Sequence, residues 1–173
     1  VFDRGYPDYQ YPLPIQDPDV DNYRAFINWQ RKQFGLRQEA FEVGKCNQIT
    51  LQHEPETYAS TFSIRNLAAS GIIWSGKGDS CTCYYDLNPI NLLPNKQNEN
   101  TKSIGLRIDY GPFRYYTGGD ISGNLSDKDG NPVNLEEKIA EACGPVDVCK
   151  VNHHAYRDAM AEGFIRQIQA RHY

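Results

Sequence analysis

Two places in the 173-residue sequence put chemically capable side chains where the chain turns. The first is Val151-Asn152-His153-His154, directly after the apolar run 146–151. Imidazole titrates near neutral pH and is the commonest metal ligand. Neighbouring residues on an extended chain point to opposite sides. One histidine of the pair can therefore hold a metal while the other faces a substrate or anchors the loop. The second place is Tyr115-Tyr116-Thr117-Gly118-Gly119-Asp120, where a strand runs into two glycines. Glycine lets the backbone bend and come close to an ion, and a carboxylate held there can bridge two cations. By spacing alone the simpler readings lead: Gly-Gly-Asp turns and hydrogen-bonded core histidines are common.

The elements around these residues are those that a site of this kind needs. Ile104, Leu106 and Ile108 alternate along a strand, Tyr110-Gly111-Pro112 turns the chain, and 113–117 returns toward Asp120. Asn134 with Glu137 three residues later starts a helix that runs to about residue 142. Residues 146–151 read as a buried strand. Asp158 can cap a closing helix with Phe164, Ile165 and Ile168 inward. Upstream, Val1-Phe2 reads as the end of a strand. Residues 1–18 form a Pro- and Tyr-rich loop, because Pro7, Pro12, Pro14 and Pro18 remove backbone donors. Asp19 or Asp21 then caps a helix placing Tyr23, Phe26, Ile27, Gln30 and Phe34 on one face and ending at Gly35. A hairpin is expected over 39–51 around Gly44-Lys45, a half-buried strand over 61–68, and a long loop over 75–100. These elements make the class mixed α+β.

The ordered runs 104–120 and 143–154 resemble the metallo-β-lactamase superfamily, and more narrowly its branch related to the hydrolase domain of bacterial DNA-uptake (competence) proteins. Three of that branch's elements recur in order as Asn100-x-x-Ser103, Thr117-Gly118-Gly119-Asp120 and His153-His154-Ala155, within roughly residues 95–165. The resemblance implies a partial αββα four-layer fold with mainly antiparallel hairpins and strand-helix units. It implies a hydrolase of an ester-like bond, a phosphodiester being favoured, using water activated by two divalent cations, zinc or manganese. In that reading Asp120 is the bridging ligand and one of His153 and His154 a terminal ligand. Arg4, Tyr6, Lys150 and Tyr156 are the candidate substrate-binding residues, a basic and an aromatic side chain suiting a phosphate ester. Two departures are visible: an extra glycine precedes Asp120, and Ala155 stands where glycine is usual. The family's main ligand cluster, His-x-His-x-Asp-His, is absent from the chain. In the family it lies just before a segment similar to Phe2-Asp3-Arg4-Gly5-Tyr6. The 173 residues are thus expected to be the C-terminal part of a single domain, inactive until completed by the upstream half or by a dimer partner.

Composition narrows the partners. Eighteen basic residues against 22 acidic ones give a net charge of −4, which argues against a duplex nucleic-acid binder. A small-molecule or single-stranded phosphodiester substrate reconciles charge and resemblance. No apolar run approaches the length of a membrane span. Cys46, Cys81, Cys83, Cys143 and Cys149 have no zinc-ribbon spacing. His53, beside Glu54-Pro55, reads as a surface histidine. The rival function is a non-catalytic module of the same fold that binds a partner or a carbohydrate through the aromatic 6–11 loop and the 75–100 loop.

Overall fold

The computed structural model describes residues 1–15, 17–93 and 99–173. The chain divides into two compact units, Val1–Phe41 and Glu42–Tyr173.

In the first unit, strand β1 (Phe2–Asp3) pairs in parallel with β2 (Glu39–Ala40), and helix α1 (Pro18–Phe34) lies between them in sequence. The helix starts earlier than its acidic residues suggest. Asp17 is the cap, its carboxylate accepting the Asp19 N–H at 2.8 Å. Pro18 suits the first turn because it has no N–H to leave unpaired. Asp19 and Asp21 instead sit in that turn, where the helix dipole favours acid. Gly35 ends the helix in the left-handed conformation. The expected inward face is only partly realised. Ile27 is buried, whereas Phe26, Trp29 and Phe34 are 55, 50 and 69% exposed and touch ring to ring.

The Pro- and Tyr-rich segment folds around one carboxylate. Asp3 Oδ1 accepts the N–H groups of Gly5 and Tyr6 at 3.0 and 2.7 Å. Its Oδ2 accepts the hydroxyls of Tyr9 and Tyr23 and the Gln38 amide, each at 2.8 Å. Burial alone would raise the Asp3 pKa, but the donors Gln38, Tyr23, Tyr9 and the Tyr6 N–H together hold it below the usual value. Tyr9 is buried by this arrangement, so the 6–11 loop does not offer all its rings to a partner.

The second unit contains, in chain order, α2 (Pro55–Tyr58), β3 (Phe62–Ala69), β4 (Ile72–Trp74), β5 (Cys81–Cys83), α3 (Tyr84–Leu87), β6 (Gly105–Tyr110), β7 (Phe113–Thr117), β8 (Asn124–Ser126), β9 (Pro132–Asn134), α4 (Leu135–Cys143), β10 (Val148–Cys149) and α5 (Glu162–Ile168). Six of the strands form a mixed sheet in the order β10-β7-β6-β3-β4-β5, antiparallel except for the β10-β7 pair. The expected 104–117 hairpin is β6-β7, with Ile108 opposite Tyr115. Helix α4, capped by Asn134 Oδ1 on the Glu137 N–H at 3.3 Å, packs on β3, β4 and α5. Leu67, Ile73, Tyr116, Leu135, Ile139, Phe164 and Ile168 form the core between them.

Several expectations are corrected here. No hairpin forms over 39–51. The Gly44 N–H and Lys45 carbonyl bond to the backbone of Asn66 instead, at 2.8 and 2.9 Å, where the β3-β6 ladder is broken by a register shift. The 75–100 segment is not one loop. It contributes β5, α3 and two short 3₁₀ turns, and buries Tyr85 completely; its residues 94–98 lie outside the described residues. The strand expected over 146–151 shortens to β10. Asp158 does not cap α5, which begins after Ala161 with no side-chain cap. Ile165 faces outward while Phe164 and Ile168 are buried.

Candidate functional site

At the end of β7 the two glycines solve different steric problems. A Cβ on Gly118 would land on the Tyr116 hydroxyl and on Asn152 Oδ1. Gly119 has φ +58°, and a Cβ there would stand 3.3 Å from Ser103 Cβ. The turn is held from the other side. The His153 N–H donates to the Gly119 carbonyl at 3.2 Å. Lys150 Nζ donates to the carbonyls of Gly119 and Val151 at 3.1 and 2.9 Å. Lys150 thus spends one N–H on the backbone that carries Asp120 and a second on the segment that leads into the histidines.

The two histidines do not sit on extended chain. His153, His154 and Ala155 all have positive φ, +43°, +56° and +57°. This left-handed run removes the alternation expected for neighbouring side chains, and the structure gives the two rings different surroundings. His153 is anchored at both nitrogens: Nδ1 is 2.8 Å from Asp158 Oδ1, and Nε2 is 3.1 Å from Asn100 Nδ2. An amide nitrogen donates, so Nε2 accepts and Nδ1 carries the proton toward Asp158. No ring lone pair is left over. His154 is 78% exposed, and its Nε2 lies 3.4 Å from Oδ1 of Asp120, which is 40% exposed.

Behind the histidine loop is a carboxylate that the sequence did not single out. Glu136 is fully buried. Its Oε1 accepts Asn152 Nδ2 at 2.8 Å and the Met160 N–H at 2.9 Å, and Oε2 accepts the Ala161 N–H at 3.0 Å. The Asn152 Oδ1 in turn accepts the buried Tyr116 hydroxyl at 3.1 Å. Residues 152–161 are therefore pinned at both ends to the first turn of α4. Burial, only partly opposed by the Asn152 hydrogen bond, raises the Tyr116 pKa well above its ordinary value. Burial also pushes the thiols of Cys143 and Cys149 up to about 12, so neither is a ready nucleophile.

The other sequence candidates are dispersed. The Tyr156 ring lies 5.4 Å from that of His153, with the Arg157 guanidinium 5.6 Å over its face. Arg4 and Tyr6 belong to the first unit, where Tyr6 stacks with Arg31. His53 is exposed and pairs with Glu54 at 3.4 Å. Asp109 lies between Arg107 and Arg114 at 3.0 and 3.7 Å.

The Asp120–His154 pair has the spacing of two ligands on one cation. Zinc bonds of about 2.0–2.2 Å to oxygen and nitrogen at a tetrahedral angle place the donor atoms about 3.4 Å apart. The pair supplies one edge of such a polyhedron and no more. Among the described residues no group of three or more His, Cys, Asp or Glu is placed to hold a metal. The same pair also satisfies the geometry of an exposed ion pair. In comparison with known proteins, no family model matches the chain and no curated protein matches it.

Proposed function

We propose that the Asp120–His154 edge belongs to a divalent-cation site of a hydrolase related to the metallo-β-lactamase superfamily, acting on an ester-like bond, with a small phosphodiester as the favoured substrate. The observation that carries this reading is the division of labour between the two histidines. His153 is tied at both nitrogens, while His154 is open and faces the second candidate ligand, Asp120, at 3.4 Å. A cation there would supply Lewis-acid chemistry, lowering the pKa of water and polarising an ester oxygen. The chain's own contribution is positional. Gly118 and Gly119 bring Asp120 forward, Lys150 fixes the turn, and Asp158 and Asn100 hold His153 so that the loop presents His154. Two donors bind a cation weakly, so the remaining ligands come from beyond this constellation and the 173 residues alone show little turnover.

The test is a Mn²⁺ titration followed by paramagnetic broadening of the histidine ring resonances. His154 broadens before the exposed His172, and Asp120→Ala abolishes the difference. Equal broadening of His154 and His172 would overturn the metal reading. A protein completed by the upstream ligand segment that binds zinc or manganese stoichiometrically, yet never hydrolyses bis(p-nitrophenyl) phosphate or a carboxylic ester, would overturn the hydrolase reading alone.

A second reading, a non-catalytic binding module, is favoured by the exposed cluster Phe26, Trp29 and Phe34 on α1. Its aromatic surface lies on this helix more than on the 6–11 loop.

A further inference from the structure

Helix α1 carries Arg24, Asn28 and Arg31 at i, i+4 and i+7, so one stripe presents two guanidiniums with a carboxamide between them. The Arg24 guanidinium carbon lies 5.0 Å from the centre of the Tyr9 ring, and that of Arg31 lies 5.8 Å from the Tyr6 ring. These side chains and Gln38 line a cavity of about 70 Å³, the space of about two waters or of one tetrahedral oxyanion. A guanidinium held over a ring face by cation–π attraction can still direct its N–H groups to an acceptor.

The local acids do not fill that role. Arg31 makes no ion pair among the described residues. Arg24 has one acidic partner, the exposed Asp21, at 3.8 Å. Asp3 is the opposing charge behind Tyr9 and Gln38. Both its oxygens are filled by the five donors already named, so it orders the wall of the cavity without pairing with either arginine. What remains, among the described residues, is a small polar cavity lined by two guanidiniums whose one carboxylate partner is the exposed Asp21, 3.8 Å from Arg24.

We propose that this cavity binds a tetrahedral oxyanion, phosphate or sulfate, free or as the terminal group of a monoester. It is independent of the Asp120–His154 reading. The arginines clamp the oxyanion through charge-assisted hydrogen bonds, and Asn28 supplies an amide donor between them.

The experiment uses the full chain labelled with ¹⁵N at constant ionic strength, observing the arginine Nε–H resonances. Inorganic phosphate, sulfate and acetate are titrated separately, and phenyl phosphate distinguishes a monoester end group from the free ion. Phosphate shifts Arg24 and Arg31 together and saturably, while acetate binds at least about tenfold more weakly. Arg31→Gln weakens phosphate about tenfold, whereas Arg166→Gln on α5 leaves it unchanged. Arg31→Lys keeps the charge but loses the fork, and it retains part of the affinity. It also stands in should Arg31→Gln disturb the Asp3 cluster. Absence of a saturable shift at the two arginines, undiminished binding in both Arg31 variants, or acetate binding as tightly as phosphate would each overturn the proposal.

Discussion

Glu136 is the side chain whose loss should reach furthest. Its carboxylate is fully buried and all three of its partners donate: Asn152 Nδ2, Met160 N–H and Ala161 N–H. In Glu136→Gln the carbonyl oxygen can keep Asn152 and Met160, but the new amide nitrogen then faces the Ala161 N–H. That N–H and the amide then face each other as two unpaired donors, at a cost of at least about 1–3 kcal/mol, part of which is offset because a charge no longer has to be buried. Glu136→Ala orphans three donors, and about 3–5 kcal/mol is expected. Urea unfolding at unchanged m-value gives these numbers, and the histidine ring resonances give the local consequence. The glutamate joins both ends of the 152–161 segment, so the signals of His153 and His154 must move while His53 stays. A loss below about 1 kcal/mol for Glu136→Ala, or a full loss with His153 and His154 unmoved, would refute the claim that this carboxylate positions the histidine loop.

Three further outcomes are expected. Gly118→Ala drives a methyl onto the Tyr116 hydroxyl and Asn152 Oδ1, and should cost about 1–3 kcal/mol, read as a fall in Tm. Ala155→Gly should not destabilise, and should gain up to about 1 kcal/mol in urea unfolding, because Ala155 holds φ +57°; a loss would refute the left-handed assignment. The Asp3 cluster makes stability fall at both pH extremes. Its carboxyl has a folded-state pKa below the ordinary value, so its contribution is complete above about pH 4 and disappears as pH falls through the folded value. Tyr9 is raised to about 12, by burial first and then by Asp3, so its contribution is complete below about pH 10 and is lost as pH rises through 12. Asp3→Asn should flatten the acid limb of the urea midpoint against pH.

The elements legible in the sequence were those with strong local signals. The alternation of Ile104, Leu106 and Ile108 gave the β6-β7 hairpin, and Asn134 with Glu137 gave the start of α4. What failed locally failed for tertiary reasons. Asp158 looks like a helix cap, but a histidine five residues earlier takes its carboxylate. Gly44-Lys45 looks like the tip of a hairpin; the chain does turn there, but its backbone bonds to Asn66 rather than to a returning strand. Phe26 and Phe34 match a buried stripe, yet the unit buries only Ile27 of that helix. For the site, adjacent histidines and a Gly-Gly-Asp turn were visible as residue types. Which histidine stays open was not, since that depends on Asn100 and Asp158 arriving from two other segments. Glu136 carried no signal at all, because a first-turn glutamate is ordinarily a solvated charge placed by the helix dipole.

Under the proposed metal reading, the surroundings of Asp120 and His154 have a use that an exposed ion pair alone would not give them. Such a pair is worth about 0–1 kcal/mol. Against it stand three consecutive left-handed residues without glycine, His153, His154 and Ala155, each costing about 1–2 kcal/mol. A buried carboxylate is also committed to holding their loop, and a glycine is needed where any larger residue would strike Asn152. Backbone strain of this size persists only where the surroundings over-determine it, and it clusters at working sites. Here the surroundings do over-determine it: His153 is fixed by Asp158, Asn100 and the Gly119 carbonyl, and the outcome of all three contacts is an open imidazole facing a carboxylate at ligand spacing. Removing those supports without touching His154, as in Asn100→Ala, should therefore weaken Mn²⁺ broadening at His154. If His154 served only as an ion-pair partner, its metal response would match that of the exposed His172 with or without that variant.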